Sequence, residues 1–459
     1  MKPMLENRLR PGSRVHFVGI GGIGMSALAR FLLVKGYDVS GSDRAPGEQG
    51  QALTELGARV QSGHHAEHID GAELLVVSSA IGPENPEVQA ARARHIPVIK
   101  RAELLGEIVN GGGGVAIAGT HGKTTTSALI GHILTEAGLD PTILIGGVGV
   151  NLGSNAQVGS SDLVVAEADE FDASFLQLRP HTAVITNVEA DHLDFYGTLE
   201  AISAAFRKFA LAVTATLVVC ADDPSLPDLT RGATAQVLTY GIERGEWRAS
   251  DIREEHGTTS FEAGNGSHRQ RFSTGLAGRH NVENALAAIA VAHSLQIPAA
   301  MIAESVESFR GVARRFEIKG EVDGVLVMDD YAHHPTEIRA NLEALRERFK
   351  RPIRLVFQPH TYSRTSAFLG EFAAAFRDAD HTYLLDIYAA REVNTYGVTS
   401  RELAEAAEKV EADVVYTATP DVTLERLLDE VRRGDLVITM GAGDVYTLGT
   451  QLQERLARR

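Results

Sequence analysis

The sequence predicts an α/β protein of three domains, each built around a parallel sheet. Short runs rich in Val, Ile and Leu alternate with helical patterns along most of the chain, and two glycine-rich turns each follow such a run directly. This alternation predicts parallel strands with helices on both faces of each sheet. With 459 residues the chain is also too long for one compact core, which indicates about three domains.

The first predicted domain covers residues 1–108. Its strand candidates are VHFVGI, YDVSGSD and LLVVSSAI, separated by the helical pattern MSALARFLLVKG and a helix near residues 51–56. Glycines at positions 19, 21, 22 and 24 lie between the first strand and the first helix, which satisfies G-x-G-x-x-G in its proper context. The domain is therefore predicted to be Rossmann-like and to bind a nucleotide diphosphate, with Asp43 near a ribose hydroxyl.

The second and third predicted domains cover residues 109–312 and 313–459. Four glycines, Gly111 to Gly114, are predicted to form a joint because they hold no regular element. Strand and helix patterns then resume, with a polar stretch at residues 238–273 that predicts a small antiparallel excursion and a helical pattern at residues 282–295. The third series begins with GVLVMDDYA and continues through IRLVFQPH, HTYLLDIY and DLVITMGAGD, which predicts a second Rossmann-like α/β domain.

The most informative segment is VAIAGTHGKTTT at residues 115–126, a strand that stops at glycines and restarts as a helix. Such a turn leaves free backbone N–H groups and a positive helix end directed at one point, which suits a polyphosphate. Lys123 supplies a mobile positive charge and Thr124 a hydroxyl for Mg²⁺. Ile117 stands where the general phosphate loop has glycine, but the context predicts a P-loop ATPase-type central domain that uses ATP. The predicted ATP-binding residues of the loop are Gly119, Thr120, His121, Gly122, Lys123, Thr124 and Thr125.

Acidic and imidazole side chains follow two further strands of the central domain. Glu167 comes after LVVA, and Asp191 and His192 come after AVIT, so they are expected at the sheet edge that carries the phosphate loop. Carboxylate and hydroxyl oxygens suit Mg²⁺, and neutral imidazole suits a second metal or its water. The sequence thus predicts Thr124, Glu167 and His192 as metal ligands, while the residues Asp169, Glu170 and Asp172 are interpreted as a solvated turn or as support for those ligands.

Composition excludes several partners. A formal net charge of −16 argues against a nucleic-acid surface, because a binder of phosphates needs a basic face. Cys220 is the single cysteine and is expected to be a buried small hydrophobe without a disulfide. No run approaches the roughly 20 apolar residues of a membrane helix, and residues 1–13 lack the apolar core of a signal peptide. We therefore expect no membrane association and a cytoplasmic location.

Two other function classes fit part of the sequence. The glycine turn of the first domain alone is typical of NAD-dependent dehydrogenases, but the same geometry holds any nucleotide diphosphate and the remaining domains offer no hydride chemistry. A noncatalytic nucleotide-binding regulator would not need Lys123, Glu167 and His192 together. An ATP-consuming enzyme is the interpretation that uses all of these residues.

In combination, these motifs resemble those of the Mur ligases of bacterial cell-wall synthesis over residues 14–446. GTHGKTTT resembles the family's ATP loop, VAEADEFDASFL its metal-binding glutamate segment and TNVEADH its second-metal histidine segment. GRHNVENALAA, ARRFE, DDYAHHP and FQPHTYSRT are similar to further family motifs. The resemblance implies nucleotide contacts from His280, Asn281, Asn284, Arg315, Asp330, Tyr331 and His333, and substrate contacts from His360 and Arg364.

What the resemblance implies is an ATP-dependent ligase of peptidoglycan precursor synthesis. GIGGIGMSALA, SGSD and VSSAI imply that the first domain binds UDP-N-acetylmuramate, to whose lactyl carboxylate L-alanine is joined through an acyl phosphate. A family member that attaches a recycled tripeptide to the same nucleotide is the alternative. The implied residues for the UDP-sugar are Gly19, Gly21, Gly22, Gly24, Met25, Ser42, Asp43 and Ser79.

The implied catalytic residues are Lys123, His192, Arg315 and His360. Lys123 and Arg315 would stabilise charge on the transferred phosphate, and His360 or an aspartate would accept the proton of the amine. Arg364 is a candidate clamp for the alanine carboxylate, with a surface ion pair as the alternative. Lys208 is not assigned as the carboxylated lysine of some family members, and YAAREVNTYGVTS departs from the acidic, proline-containing form of this segment. Closure of the third domain is expected, with Gly311 and its neighbours as hinge.

Overall fold

The computed structural model describes residues 9–266 and 269–458 and contains three sheets that follow one another along the chain. The predicted α/β class with parallel sheets is confirmed. Residues 1–8, part of the segment considered above for a signal peptide, lie outside the described residues. Among the described residues, no helix combines the length and the apolar character needed to cross a bilayer.

The first sheet has five parallel strands in the order β3-β2-β1-β4-β5. Its strands are β1 (Arg14–Val18), β2 (Asp38–Asp43), β3 (Arg59–Ser62), β4 (Leu74–Val77) and β5 (Val98–Lys100). The helices are α1 (Ile23–Val34), α2 (Gly47–Glu55), α3 (Pro86–Ala93) and α4 (Arg101–Asn110). The helix expected near residues 51–56 is α2, and the boundary expected near residue 108 falls within α4 and stays a prediction.

The middle sheet has ten strands in the order β15-β14-β13-β12-β11-β10-β6-β9-β7-β8. Its strands are β6 (Gly113–Ala118), β7 (Thr142–Gly149), β8 (Ser154–Gln157), β9 (Leu163–Glu167), β10 (Thr182–Ile185), β11 (Thr216–Cys220), β12 (Gln236–Gly241), β13 (Trp247–Glu255), β14 (Thr258–Gly264) and β15 (Arg269–Thr274). The helices are α5 (Lys123–Glu136), α6 (Leu193–Tyr196), α7 (Leu199–Ala212), α8 (Leu226–Leu229), α9 (Arg279–Ser294) and α10 (Ala299–Ser308). The antiparallel excursion is the β13-β14-β15 meander, whereas β12 still pairs in parallel with β11.

The expectation that all four glycines at 111–114 form an irregular joint is wrong, because β6 begins at Gly113. A Cβ atom on Gly114 would lie 2.4 Å from the carbonyl oxygen of Val109. The glycine is therefore needed for the close approach of α4 to this strand. From Val115 to Ala118 the strand is fully buried, as expected for a central strand covered on both faces.

The third sheet has the order β16-β17-β21-β18-β19-β20. Its strands are β16 (Glu317–Val322), β17 (Val325–Asp330), β18 (Ile353–Phe357), β19 (His381–Leu385), β20 (Val414–Ala418) and β21 (Leu436–Met440). The helices are α11 (Pro335–Phe349), α12 (Tyr362–Ala367), α13 (Leu369–Ala375), α14 (Ser400–Lys409), α15 (Pro420–Glu430) and α16 (Tyr446–Leu456). Strand β16 is antiparallel to β17, and its polar sequence EIKGEV gave no strand signal.

The packing of the three sheets differs. Most buried apolar residues of the first two sheets form one continuous cluster, and a smaller separate cluster with Val18, Leu75 and Val88 lies in the first part of the chain. The third sheet carries separate clusters on its two faces. The segment between the middle and third sheets is paired with β7, because Val150 donates to the carbonyl of Gly311 at 3.0 Å and Ala313 donates to that of Val148 at 2.8 Å. The boundary expected near residue 312 lies in this paired segment and stays a prediction.

Candidate active site

The phosphate loop connects β6 to α5 at the carboxyl edge of the middle sheet. Gly122 precedes the helix with φ +82°, and a Cβ atom there would lie 2.4 Å from Oδ1 of Asn284 on α9. Only glycine fits this position, so the loop is shaped by a helix more than 150 residues away in sequence. The backbone of His121 is held by Asn187, whose Oδ1 accepts from the His121 N–H at 2.9 Å.

Lys123 is almost buried in a cluster of carboxylates. Its Nζ donates to Glu170 at 3.0 Å and to the carbonyl of Thr120 at 3.0 Å. Burial alone would lower the pKa of Lys123, but the charges of Glu170, Asp169 and Glu167 outweigh it and raise the pKa. The lysine is thus a fixed positive charge. The interpretation of Glu170 as part of a solvated turn is wrong, since this residue is buried and pairs with the loop lysine.

A first cavity of about 360 Å³ lies beside the loop, between the middle and third sheets. Of the predicted nucleotide residues, those that line it are His121, Gly122, Thr124, Thr125, His280, Asn281, Asn284, Arg315 and Asp330. Gly119, Thr120 and Lys123 belong to the same loop but are not among the lining residues, and neither are Tyr331 and His333. We name this space the nucleotide cavity.

Two residues of α9 give the nucleotide cavity an uncharged polar wall. Burial lowers the pKa of His280 to about 4, so its ring is neutral near pH 7. The side chain of Asn281 donates to the carbonyl of Ala277 at 2.7 Å and accepts from Asn284 at 3.1 Å. A neutral, fixed surface of this kind suits a heterocyclic base better than a phosphate.

Cys220 lies at the edge of the same cavity. Its thiol and the carboxylates of Asp222 and Glu283 approach within 4.8 Å of one another. Burial raises the pKa of Cys220 to about 12 and that of Glu283 to about 7. The thiol is therefore protonated near neutral pH, which agrees with its interpretation as a buried small side chain.

The third sheet closes the nucleotide cavity with charged residues. Arg315 lies 3.6 Å from Glu337, a residue in the first turn of α11 that completes a capping box with His334. Glu337 also accepts from Nδ1 of His121 at 3.1 Å. Burial alone would lower the pKa of His121, but Glu337 and Glu189 outweigh it and raise the pKa to about 9. A protonated His121 thus binds the phosphate loop to α11.

The contact region between the phosphate loop and α11 contains a compact cluster of three potential metal ligands. His121, Glu189 and His334 present ligand atoms within 4.8 Å of one another. Both ring nitrogens of His121 already face carboxylates, since Nδ1 lies 3.1 Å from Glu337 and Nε2 lies 3.6 Å from Glu189. Ion pairing explains the cluster, which includes a hydrogen bond of 2.7 Å from Thr336 to Glu189.

A second cavity of about 270 Å³ lies between the first and middle sheets. We name it the interdomain cavity. Of the predicted UDP-sugar residues, those that line it are Gly22, Gly24, Met25 and Ser79. Glu167 and Asp169 come from the middle sheet, Arg101 comes from α4, and Arg391 comes from the third part of the chain.

The other predicted UDP-sugar residues have structural partners. Asp43 accepts from the backbone of Gly21 at 3.0 Å and from that of Ala45 at 3.0 Å, so it holds the turn itself. Ser42 donates to Glu87 at 2.6 Å within a buried cluster that also contains His64. Gly19 is packed against Ser78 and is not among the lining residues of the interdomain cavity.

The two cavities meet at Thr124 and Glu167. Thr124 lines the nucleotide cavity, Glu167 lines the interdomain cavity, and the Thr124 hydroxyl is close enough to the Glu167 carboxylate to favour its charged form. Burial raises the pKa of Glu167, which means that its negative charge is poorly solvated. A hydroxyl and a half-buried carboxylate fit a hard cation such as Mg²⁺, whose charge would compensate that of Glu167.

His192 lies near this junction but has different neighbours. Its Nε2 is 3.8 Å from Asp191, and its ring packs edge-on against Phe171 at 5.1 Å. It also lies within electrostatic range of Glu170, the partner of Lys123. The neighbours of His192 are thus Asp191, Phe171 and Glu170, and Glu167 is not among these contacts.

The residues of the third part expected to face the substrates form a second cluster. Arg364 is buried and donates to Asp191 from Nη2 at 2.9 Å and from Nε at 3.2 Å. Its Nη1 lies 3.3 Å from Nδ1 of His360, whose ring is 6.0 Å from that of His333. Burial lowers the pKa of His360 to about 4 and that of His333 to about 3. The alternative that Arg364 forms an ion pair on the surface is wrong, because the residue is buried. The edge of the guanidinium formed by Nε and Nη2, which could bind a carboxylate with two hydrogen bonds, is already occupied by Asp191.

Comparisons with known proteins cover nearly the whole chain. Residues 14–112 match the description "Mur ligase family, catalytic domain", residues 117–292 "Mur ligase middle domain" and residues 314–443 "Mur ligase, glutamate ligase domain". The chain is similar to the UDP-N-acetylmuramate–L-alanine ligases of Geotalea daltonii, at 45% identity over 96% of this chain and 98% of the relative, and of Solibacter usitatus, at 46% identity over 98% and 97%.

Solved structures show the same relationship. A UDP-N-acetylmuramate–alanine ligase from Thermotoga maritima superposes with a TM-score of 0.83 at 30% identity, covering 96% of this chain and 98% of that one. A murein peptide ligase from Psychrobacter arcticus superposes with a TM-score of 0.74 at 25% identity, covering 98% and 99%.

Proposed function

The chain belongs to the Mur ligase family, and from that premise we propose that it joins L-alanine to the lactyl carboxylate of UDP-N-acetylmuramate at the expense of ATP. The observation that carries this proposal is the junction of the two cavities at Thr124 and Glu167. A phosphate donor in one cavity and a carboxylate in the other would meet there. The product would be a precursor of peptidoglycan.

In the first step, a lactyl carboxylate oxygen attacks the terminal phosphorus of ATP, the bond to the bridging oxygen breaks, and ADP leaves. Lys123 and Arg315 bring positive charge to the transferred group from two sides, which stabilises the charge that spreads over its oxygens. Thr124 and Glu167 are the proposed ligands of Mg²⁺, which when bound neutralises phosphate charge. The cofactors are thus ATP and Mg²⁺, with His192 as a proposed second metal ligand.

In the second step, the amine of L-alanine attacks the acyl carbon and inorganic phosphate leaves with the electron pair of the broken C–O bond. The amine must also lose a proton. A pKa near 4 makes His360 a weak base, so we assign it the role of orienting Arg364 and the amino acid. The departing phosphate leaves as a basic oxyanion and is the proposed acceptor of this proton.

The nucleotide cavity supports the binding of ATP with its base toward His280 and Asn281 and its phosphates toward the loop. The interdomain cavity supports the UDP-sugar, since the first turn of α1 with Gly24 and Met25 offers backbone N–H groups to a diphosphate. Because ATP is the fuel, we propose a cytoplasmic location. We also keep the boundaries at residues 108 and 312 as proposed domain limits.

The test is phosphate release by the purified chain with ATP and Mg²⁺, followed by mass spectrometry of the nucleotide product. We expect release only when UDP-N-acetylmuramate and L-alanine are both present, with a product heavier by one alanine residue. Release with the tripeptide L-alanyl-γ-D-glutamyl-meso-diaminopimelate but not with L-alanine would instead identify a murein peptide ligase. Nucleotide binding without release would identify a noncatalytic regulator.

A further inference from the structure

A loop of the third part reaches the interdomain cavity, although that cavity lies between the first and middle sheets. The loop covers residues 386–399, between β19 and α14, and we name it the crossing loop. Arg391 is its member that lines the cavity, together with Arg101, Glu167 and Asp169. All three parts of the chain therefore contribute to this one space.

The crossing loop is fixed at its base by the segment that carries His360. Tyr388 donates its N–H to the carbonyl of Pro359 at 2.8 Å and accepts from Thr361 at 2.9 Å. Its ring stacks on that of His360 at 5.7 Å with an interplanar angle of 15°. The position of Arg391 is thus tied to that of the residues expected to face the substrates.

A second anchor follows Arg391 directly. The carboxylate of Glu392 accepts from the backbone of Ser363 at 2.9 Å and also from the Ser363 hydroxyl. Farther along, Asn394 bridges the loop by donating to the carbonyl of Val398 at 3.0 Å and accepting from Gly397 at 3.0 Å. With anchors on both sides, Arg391 is presented at a defined place.

The charge of Arg391 is not neutralised by a protein partner. Arg101, the other arginine of the cavity, lies 3.4 Å from Asp169, and Glu167 lies in the field of Lys123. Within residues 9–266 and 269–458, Arg391 makes no hydrogen bond or ion pair, and its field is felt by His360. The guanidinium therefore remains available to an anion in the cavity.

We propose that Arg391 binds the lactyl carboxylate of UDP-N-acetylmuramate, an inference that rests on the proposed function. The cavity has two ends: the glycine turn at the start of α1, which suits a diphosphate, and Glu167 at the junction, where the carboxylate must react. The crossing loop binds the segment of His360 through Tyr388, so we place Arg391 at the end of the cavity where the carboxylate reacts. A guanidinium holds a carboxylate with two parallel hydrogen bonds, which orients it as well as binding it.

The experiment compares two ligands that differ in that carboxylate. UDP-N-acetylglucosamine has the same nucleotide sugar without the lactyl group. Dissociation constants of both ligands are measured by calorimetry for the full wild-type chain, for Arg391→Ala and Arg391→Lys, and for Arg377→Ala as a matched exposed arginine outside both cavities. Since Arg391 has no hydrogen-bond partner to lose, its substitution is not expected to disturb folding.

We expect Arg391→Ala to raise the dissociation constant of UDP-N-acetylmuramate about tenfold or more, which is the scale of a lost charged hydrogen bond. The dissociation constant of UDP-N-acetylglucosamine should not change. The dissociation constant of Arg391→Lys for UDP-N-acetylmuramate should lie between those of the wild type and Arg391→Ala, because lysine keeps the charge but cannot form the two parallel hydrogen bonds. Equal weakening of both ligands would overturn the proposal in favour of diphosphate binding. No weakening of either would also overturn it.

Steady-state kinetics separates this inference from the proposed function. In the phosphate-release assay, Arg391→Ala should raise KM for UDP-N-acetylmuramate while KM for ATP stays constant. If the wild type releases no phosphate with L-alanine, the proposed function fails, whatever the calorimetry shows. If the wild type is active and Arg391→Ala has the same KM for UDP-N-acetylmuramate as Arg377→Ala, only the assignment of Arg391 fails.

Discussion

Asp191 and Arg364 join the middle and third parts of the chain through a buried ion pair in which one carboxylate contacts both Nε and Nη2 of the guanidinium. The two residues are 173 positions apart in the sequence. Burial opposes the charge of Asp191, but Arg364 outweighs it and holds the pKa of the carboxylate well below its usual range. The edge of Arg364 that was expected to hold the alanine carboxylate is thereby committed to a protein contact.

Asp191→Asn should destabilise the protein by about 3 kcal/mol, because it leaves a buried guanidinium without its counter-charge. Thermal and urea unfolding measure the loss, and Asp194→Asn on exposed α6 is the control. The double variant Asp191→Asn, Arg364→Met should recover part of the stability. Additive effects of the two substitutions would contradict a coupled pair.

The His121–Glu337 contact should make stability depend on pH in the alkaline range. The pKa of His121 is raised to about 9 in the fold, against about 6.5 unfolded, so its contribution is complete below pH 6.5 and is lost as pH rises through 9. The difference in unfolding free energy between wild type and His121→Asn should fall by about 3 kcal/mol across that window. His256→Asn, at an exposed turn, should show no such dependence. A constant difference would show that His121 is neutral.

Lys123→Ala should reduce ligase turnover by about a thousandfold or more, since it removes the loop's positive charge, which we propose stabilises the transferred phosphate. Phosphate release at saturating substrates is the measurement. Lys208→Ala, on the exposed face of α7, is the matched control and should retain full activity. Loss of activity in that control would instead indicate that Lys208 is part of the site.

Gly122→Ala should abolish ATP binding, because the new methyl group would collide with Asn284 and push α9 away from the loop. Gly138→Ala is a strict control: it has a similar φ of +74° but open space around the added atom. Gly138→Ala should lower the free energy of unfolding by only about 1 kcal/mol, through backbone strain. Equal effects of the two substitutions on the ATP dissociation constant would rule out the collision.

Ligand binding should draw the third part of the chain toward the middle sheet, with Gly311 and its neighbours as hinge. Small-angle scattering should show a smaller radius of gyration when a nonhydrolysable ATP analogue and UDP-N-acetylmuramate are added together. Lys123→Ala, with weakened nucleotide binding, should show less contraction. An unchanged radius in the wild type would count against a closing motion.

Local motifs explain what the sequence predicts well. Lys123 and Thr124 follow a strand within a few residues, so their placement at a sheet edge depends on neighbouring residues alone. Strand β16 escaped prediction because an antiparallel edge strand with a polar sequence has no apolar pattern. The observed bounds of helix α9 and strand β6 differ from the expected bounds by only a few residues.

Long-range partners explain what the sequence does not predict. Glu170 looks solvated among other acidic residues until the fold brings Lys123 against it from 47 positions away. Ser42 is at a strand end where ligands bind, yet its hydroxyl faces Glu87, 45 positions away. The contact of Arg391 with the interdomain cavity depends on how three separate sheets pack, which no local pattern encodes.

The partners of the phosphate loop have a consequence for the biosynthesis of the protein. Asn284 fits against Gly122 and Glu337 binds His121, so the loop acquires its last neighbours only when the distal part of the chain has been translated. A ribosome-bound nascent chain that ends before residue 315 contains Lys123 but neither Arg315 nor Glu337. Because these distal residues support the loop, we expect truncated copies of the protein to lack ATP turnover.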